Sequence, residues 1–353
     1  MSHDLQPAET LLLTFKDKEA FVSVDDPIHK DLSTITVHGE TLFLSCDETA
    51  GIDRLTPDKS GYGNHVHFNL GELVELPDGP DGEMDIEGLA VDGDWIWVCG
   101  SHSLKREKPD DDDDPKAALD RMADIDWDEN RAFLGRLPLV MEDGAPRPVA
   151  RDGARRMAHV KQGKKSALKK WLKGDPHLDR FLSIPSKENG LDIEGIAVKG
   201  LRVWLGLRGP VLRGRAVILD MEMKVTKNGH LKPRRLADGM RYRKHLINTT
   251  GQGVRDLSFD GDDLIVLTGT ALAGDGPSEV LRWRDAVADV TSGLVEPAKV
   301  ETLAELPYRG AVDHPEGIVA WLKPGEWLAV YDSPAPERVK EKPARVLADI
   351  WTF

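Results

Sequence analysis

One hairpin is written five times in this chain, and a repeat of that kind settles the architecture before any single residue does. The copies are "DLSTITVHGETLFLSCDE" (31–48), "DIEGLAVDGDWIWVCGSH" (85–102), "DIEGIAVKGLRVWLGLRG" (192–209), "GVRDLSFDGDDLIVLTGT" (253–270) and "HPEGIVAWLKPGEWLAVYDS" (314–333). Each is a short alternating strand, a turn built on Gly, Asp or Pro-Gly, and a second strand rich in Leu, Val, Ile or Trp. Period-two alternation around such a turn marks a β-hairpin.

More strands follow the hairpins. "RAVILDMEM" (215–223) and "SEVLRWRD" (278–285) read as third strands, and "LGELVELP" (70–77), "DRFLSIP" (179–185) and "VETLAELP" (300–307) as closing ones. Four antiparallel strands per unit, spaced by roughly fifty to sixty residues, predict an all-β chain folded as a β-propeller. The expectation is a single domain, 1–353, of five four-stranded blades. "TLLLTF" (10–15) would supply the outer strand beside "ARVLADIWTF" (344–353), closing the ring and removing two sheet edges. The interval between the second and third copies is about double, so a partly helical insertion at about 103–180 falls within the second blade. A sixth blade within 103–185 is the alternative. Trp95, Trp97, Trp204, Trp321 and Trp327 fall in these hairpins and read as packing between neighbouring sheets.

The first strand of a propeller blade lines the central channel. Antiparallel pairing brings its start and the end of the second strand to the same mouth. Aligned on the apolar positions, position three reads Ser33, Glu87, Glu194, Arg255 and Glu316, and position one Asp31, Asp85, Asp192, Gly253 and His314. The second-strand ends add Asp47 and Glu48, Ser101 and His102, Arg208, Thr270, Asp332 and Ser333. Three glutamates facing one narrow channel repel one another unless a divalent cation, an arginine or shared protons compensate. Hard oxygen ligands without cysteine suit calcium first, or magnesium or manganese. Such a cation polarises a carbonyl or phosphoryl oxygen and activates water. Arginines beside it match an anionic substrate. A structural account stands beside this one: an Asp-x-Glu-Gly strand entry also bonds loop amides and fastens blade to blade. The change of charge at position three, to Ser33 and Arg255, favours chemistry.

The Glu-Gly strand heads in "DIEGLAV", "DIEGIAV" and "HPEGIVA" resemble motifs of two propeller groups, the esterase-like phytases and the gluconolactonases and paraoxonases. The second resemblance implies that Glu87, Glu194 and Glu316 ligate a catalytic calcium or related metal, with Asp85 and Asp192 beside them and Asn248 of "HLINTTGQG" as a further donor. Ser33 and Arg255 depart from that pattern. With "NRAFLGRLPL" (130–139) and "GVRDLSFDGDDLIVLTG" (253–269), the overall order is similar to a bacterial family of uncharacterised propeller-like proteins, a resemblance that implies no activity.

The formal net charge is −14, from 61 acidic against 47 basic residues, which opposes general attraction to nucleic acid or an anionic membrane. Two cysteines, Cys46 and Cys99, make neither a disulfide framework nor a zinc cluster. With no secretory leader in "MSHDLQPAETLLLTFKDKEAF" and no apolar run near the ~18 residues of a membrane helix, the expected compartment is the cytoplasm. Asp110–Asp114 reads as a solvated acidic loop, with a lid over the site as the sharper reading. The basic stretch 151–173 reads as part of an amphipathic helix, paired inside the molecule or to a protein partner rather than to nucleic acid. His65 and His67 of "HVHF" share one strand face, without further support for a metal. No phosphate loop, nucleophile elbow or metalloprotease helix motif is present.

The sequence therefore predicts a metal-dependent hydrolase of a small anionic ester, lactone or phosphoester. Glu87, Glu194 and Glu316 hold the cation with Asp85 and Asp192, Arg208 and Arg255 bind the anionic group, and His102 or Asp256 moves the proton. The alternative is a non-enzymatic interaction or ligand-binding propeller whose channel cation or Arg–Glu network is structural.

Overall fold

The computed structural model describes residues 5–353 apart from 23, 25, 111, 164 and 165. It is an all-β protein in which each repeated hairpin opens one sheet unit. Thr34–His38 and Thr41–Ser45 continue into Gly51–Asp58 and Gly61–Asn69. Ile86–Asp92 and Trp95–Gly100 continue into Leu134–Glu142 and Ala145–Pro148. The third unit runs through Asp192–Lys199, Arg202–Gly209, Arg215–Val225 and Arg243–Asn248. The fourth comprises Gly253–Asp260, Asp263–Gly269, Ser278–Trp283 and Val300–Leu306. The last joins His314–Ala320, Glu326–Asp332 and Ala344–Thr352 to the N-terminal strand Glu9–Phe15, which pairs antiparallel from Glu9 opposite Ile350 to Phe15 opposite Ala344.

Position four of each first strand meets position five of the next. Thr34 Oγ1 accepts the Leu89 N–H at 3.1 Å, and Asp256 Oδ2 accepts the Ile318 N–H at 2.8 Å. The other three copies have glycine there, because the neighbouring strand leaves no room for a Cβ. One on Gly88 would sit 2.8 Å from Ile196 Cγ2, one on Gly195 3.0 Å from Leu257 N, and one on Gly317 3.0 Å from Ile35 N. The Gly of Asp-x-Glu-Gly is thus the close-approach residue between adjacent inner strands, and the fifth strand meets the first by the same contact. Between the sheets, Trp97, Trp204, Trp283 and Trp327 are fully buried. Truncating a side chain of that size to alanine in a core costs about 3–5 kcal/mol. Trp321 lies one residue past its strand and packs on Tyr62 at 5.6 Å instead.

Two predicted closing strands are turns. Residues 70–77 begin with a short 3-10 turn, Leu70–Glu72, and 179–185 with another, Asp179–Phe181. The fourth strand of the first unit is Gly61–Asn69, the "HVHF" stretch itself. Its inward polar residue hides its place as the closing strand from a reading of apolar alternation, although "HVHF" itself reads as a strand face. His65 is buried because its Nδ1 accepts the Lys16 and Asp17 N–H groups, while its Nε2 lies 2.5 Å from Asp53 Oδ1. The 103–180 insertion is interrupted too, since Leu134–Glu142 pairs with Trp95–Gly100 as a third strand. Its helices are short, Pro115–Arg121 and Ala167–Leu172. Asp114 caps the first of them, and Asp110 and Asp113 pair with Arg121. Among the described residues no helix is long and apolar enough to cross a membrane.

Candidate functional site at the channel mouth

The side chains at position three are aimed by a fault in the strand pairing. Ile86 faces Gly100 and Gly88 faces Cys99, so Glu87 has no opposite residue. The same skip isolates Glu194 between Ile193 and Gly195, Arg255 between Val254 and Asp256, and Glu316 between Pro315 and Gly317. One extra residue on one strand is a β-bulge, which bends the strand and re-aims the side chain it carries. In the first copy Thr34 pairs directly with Ser45, and Ser33 turns its hydroxyl onto the Ser45 and Ile86 carbonyls. Four copies therefore present a charge, and the fifth fastens two strands.

These residues line a cavity of about 680 Å³, into which Lys105, Arg106 and Met122 of the insertion also reach. Among the described lining residues are fourteen Asp or Glu against eight Lys or Arg, so the cavity is acidic overall. The charges are unevenly shared. The first two units bring Asp31, Asp47, Asp85 and Glu87, whereas Arg208 and Arg255 stand on the third and fourth. Arg208 Nη1 donates to Glu194 Oε1 at 2.8 Å. Arg255 Nη1 donates to Glu194 Oε2 at 3.0 Å and to Glu316 Oε1 at 2.6 Å, and its Nη2 reaches the Thr270 carbonyl at 3.1 Å. Arg131, from the insertion, pairs with Asp85 at 3.1 Å and with Glu83. His314 lies 3.3 Å from Asp275 and 3.8 Å from Asp332. Glu87 forms no hydrogen bond or ion pair with any described residue, and its neighbours in charge are Glu194, Asp85, Asp47 and Asp192, with the Arg255 guanidinium acting on it in the opposite sense.

Burial and this crowding raise the carboxyls. Desolvation is the first cause throughout. It lifts Glu316 to about 7 against the pull of Arg255, and Asp192 to about 8 with Glu194 adding to the rise. Glu87 goes well up. Asp31, hydrogen-bonded to Asp47, is pushed up to about 11, and Asp47 is raised as well. Unfolded carboxyls titrate near 4, so the folded chain holds more protons than the unfolded one from about pH 5 to about pH 8. The contribution is complete below the unfolded value and is lost as pH rises through the folded values. Carboxylates lowered by their partners, such as Asp220 at about 2, act oppositely but only in acid. The thermal midpoint should therefore fall between about pH 5 and about pH 8. Glu87→Gln, which removes one like charge, should raise the midpoint at the alkaline end and leave the acid end unchanged. A wild-type midpoint climbing across that window would refute this account.

Seven of the nine residues expected at the site line the cavity together: Glu87, Glu194, Glu316, Asp85, Asp192, Arg208 and Arg255. The two proton-transfer candidates do not. His102 is fully buried under the insertion, with Nδ1 3.0 Å from Ser166 Oγ, and burial drives its imidazole down to about 3. Asp256 occupies position four, not three, and spends both oxygens on the Leu257 and Ile318 amides. Asn248 is exposed and accepts from the Thr250 N–H. The three glutamates do not surround a common open point, because the Arg255 guanidinium lies between two of them. Among the described residues no group of three or more His, Cys, Asp or Glu is arranged to hold a metal ion. Arg131 is a residue that alignment of the hairpins did not single out, and the alignment placed Asp31 and Asp47 at the mouth without showing that they bond to each other. Arg131 lies outside the repeat, and the two aspartates meet only through pairing of their strands.

Fold and site together define an all-β, propeller-type protein with a charged cavity where the inner strands begin. The chain belongs to the family described as "Protein of unknown function (DUF3616)", whose model matches residues 31–349. No curated protein matches it. Among solved structures it is similar to glutaminyl cyclase from Myxococcus xanthus, with a TM-score of 0.43 and 9% identity over 99% of this chain and 97% of that one. It is also similar to the β-propeller domain of Cps50 (Swd1) from Myceliophteria thermophila, TM-score 0.35 and 10% identity over 97% and 100%. A third is the PQQ-bound aldose sugar dehydrogenase from Streptomyces coelicolor, TM-score 0.36 and 15% identity over 98% and 86%. At these scores none of the three carries an argument about what this chain acts on.

Proposed function

We propose that the five sheet units are the blades of one closed ring, and that the cavity at its channel mouth is the reaction site of a hydrolase acting on a small anionic ester, lactone or phosphoester. One observation carries the reading. Amid a densely paired set of charges, two groups facing the cavity keep hydrogen-bonding capacity to spare. Arg208 makes a single hydrogen bond, through Nη1, and its buried Nε has no partner. Glu87 forms no hydrogen bond or ion pair with any described residue, and feels the Arg255 charge only at a distance. A guanidinium with donors to spare suits an anionic substrate group, and a carboxyl that burial raises, lining the same cavity, suits proton transfer. Glu87 thus takes the role that His102 and Asp256 are too buried to fill. A second reading, a ligand-binding or interaction propeller without chemistry, is favoured by the unbroken Arg208–Glu194–Arg255–Glu316 chain, which is already internally neutralised.

The test is turnover of a panel of lactones, aryl esters and phosphomonoesters by the wild type and by Glu87→Gln. The variant should lose about 100-fold or more in kcat while melting no lower than the wild type. No turnover by the wild type on any member, with calcium, magnesium or manganese supplied, would leave the second reading. The same samples test the cation. With Arg255 between Glu194 and Glu316, chelator should leave the melting midpoint where it was. A drop reversed by one of these metals would instead restore a cation to the site.

A further inference from the structure

The channel mouth is electrically two-sided. On the first two units, Asp31 and Glu87 hold acceptor oxygens that no described group satisfies. Asp31 is only 8% exposed, lines the cavity, and has Oδ2 buried without a hydrogen-bond partner. On the third unit, Arg208 is likewise 8% exposed, lines the same cavity, and has Nε buried without a partner. An unpaired buried acceptor on Asp31 and an unpaired buried donor on Arg208, both lining one cavity, are costly unless a ligand satisfies both.

We infer that the cavity accepts a small molecule carrying an ammonium or similar cationic donor at one end and a carboxylate or phosphate at the other, an amino-acid-like zwitterion. Its ammonium donates to Asp31 Oδ2 and Glu87, and its anionic end accepts from the Arg208 N–H groups. A simple anion satisfies Arg208 but leaves the buried Asp31 acceptor unpaired. A simple cation leaves the Arg208 donors unpaired. The remaining charged neighbours are already engaged: Asp85 with Arg131, Glu194 and Glu316 with Arg255, and His314 with Asp275 and Asp332. A cavity of about 680 Å³ has room for such a ligand together with water. This inference rests on the channel mouth being the functional site, and it names the substrate class of the hydrolase proposed there.

Calorimetric titration of the wild type with glycine, β-alanine, 4-aminobutyrate and 6-aminohexanoate tests it, with succinate, glutarate, putrescine and cadaverine as single-sign controls. At least one amino acid should bind about 10-fold or more tighter than every control. Arg208→Lys, which keeps the charge but loses the fork, and Asp31→Asn should each weaken it by about 10-fold. Melting curves show whether either variant is folded, and the other still decides if one is not. Controls that bind as well as the amino acids overturn the inference, as do variants that bind like the wild type, or no binding by any amino acid at roughly millimolar concentration. None of these readings depends on turnover. An absence of hydrolysis therefore leaves the inference standing or falling by itself, and turnover without zwitterion preference sinks it alone.

Discussion

Replacing Arg255 by leucine should lower the unfolding free energy by about 3–5 kcal/mol at mildly alkaline pH, the usual cost of removing one partner from a buried charge network. One guanidinium nitrogen serves both Glu194 and Glu316, and a second holds the Thr270 carbonyl. Without it Glu194 keeps Arg208, but Glu316 loses its hydrogen-bonded cation and keeps only the weaker pull of Arg208 against the like charges of Glu194 and Asp332. The loss should depend on pH in a defined direction. The Arg255 charge now pulls the Glu316 carboxyl down against desolvation, so in the variant that carboxyl titrates higher still. The penalty is small while Glu316 stays protonated in both proteins and grows as pH rises through about 7, where the folded wild-type carboxyl ionises and the variant's does not. Urea unfolding across this range measures it, and the double variant Arg255→Leu/Glu316→Gln should recover part of the loss. A penalty under about 1 kcal/mol, flat with pH, would mean that the network contributes little and the cavity is open to solvent.

Restoring the repeat to its own pattern at Gly253 should be nearly as damaging. Three copies have aspartate at position one, and Gly253→Asp would make the fourth conform. A Cβ there would lie 2.2 Å from the Arg208 carbonyl oxygen and 2.8 Å from its Cα, backbone atoms with nowhere to go. The obstacle is space, since Gly253 is not in the left-handed region. Overpacking of this kind costs about 1–3 kcal/mol. It should also displace Arg208, so binding or turnover at the channel mouth should fall further than stability alone accounts for. Gly253→Ala is the milder form of the same test. A variant that melts and binds like the wild type would show that the strands can separate there freely.

The fold was legible where alternation was apolar and hidden where it was polar. Leu, Val, Ile and Trp at every second position mark all five hairpins, and the strands 215–223, 278–285 and 344–353 lie where the same pattern puts them. The "HVHF" stretch reads as a strand, but its place as the fourth strand of the first unit and the strand Arg243–Asn248 are hidden, because His65 and His245 are the buried side chains there, satisfied by Asp53 and close to Asp220. Apolar-looking runs at 70–77 and 179–185 misled for the opposite reason: Leu70 is buried from a turn.

For the site, alignment of the hairpins placed seven of nine candidates on one cavity, because strand period and hairpin register are local properties that the repeat makes visible five times over. Local order also determined which glycines permit close approach once the repeats were laid side by side. Only the tertiary structure decided what each charge does. The pairing skip that aims Glu87, Glu194, Arg255 and Glu316 depends on the partner strand, and the bond from Arg255 to Glu194 joins residues 61 positions apart. Asp256 and His102 carry side chains fit for proton transfer, yet one fastens two inner strands and the other is closed under an insertion. Charge and spacing are written along the chain. Desolvation and the identity of the nearest opposite charge exist only once distant strands converge on the same channel.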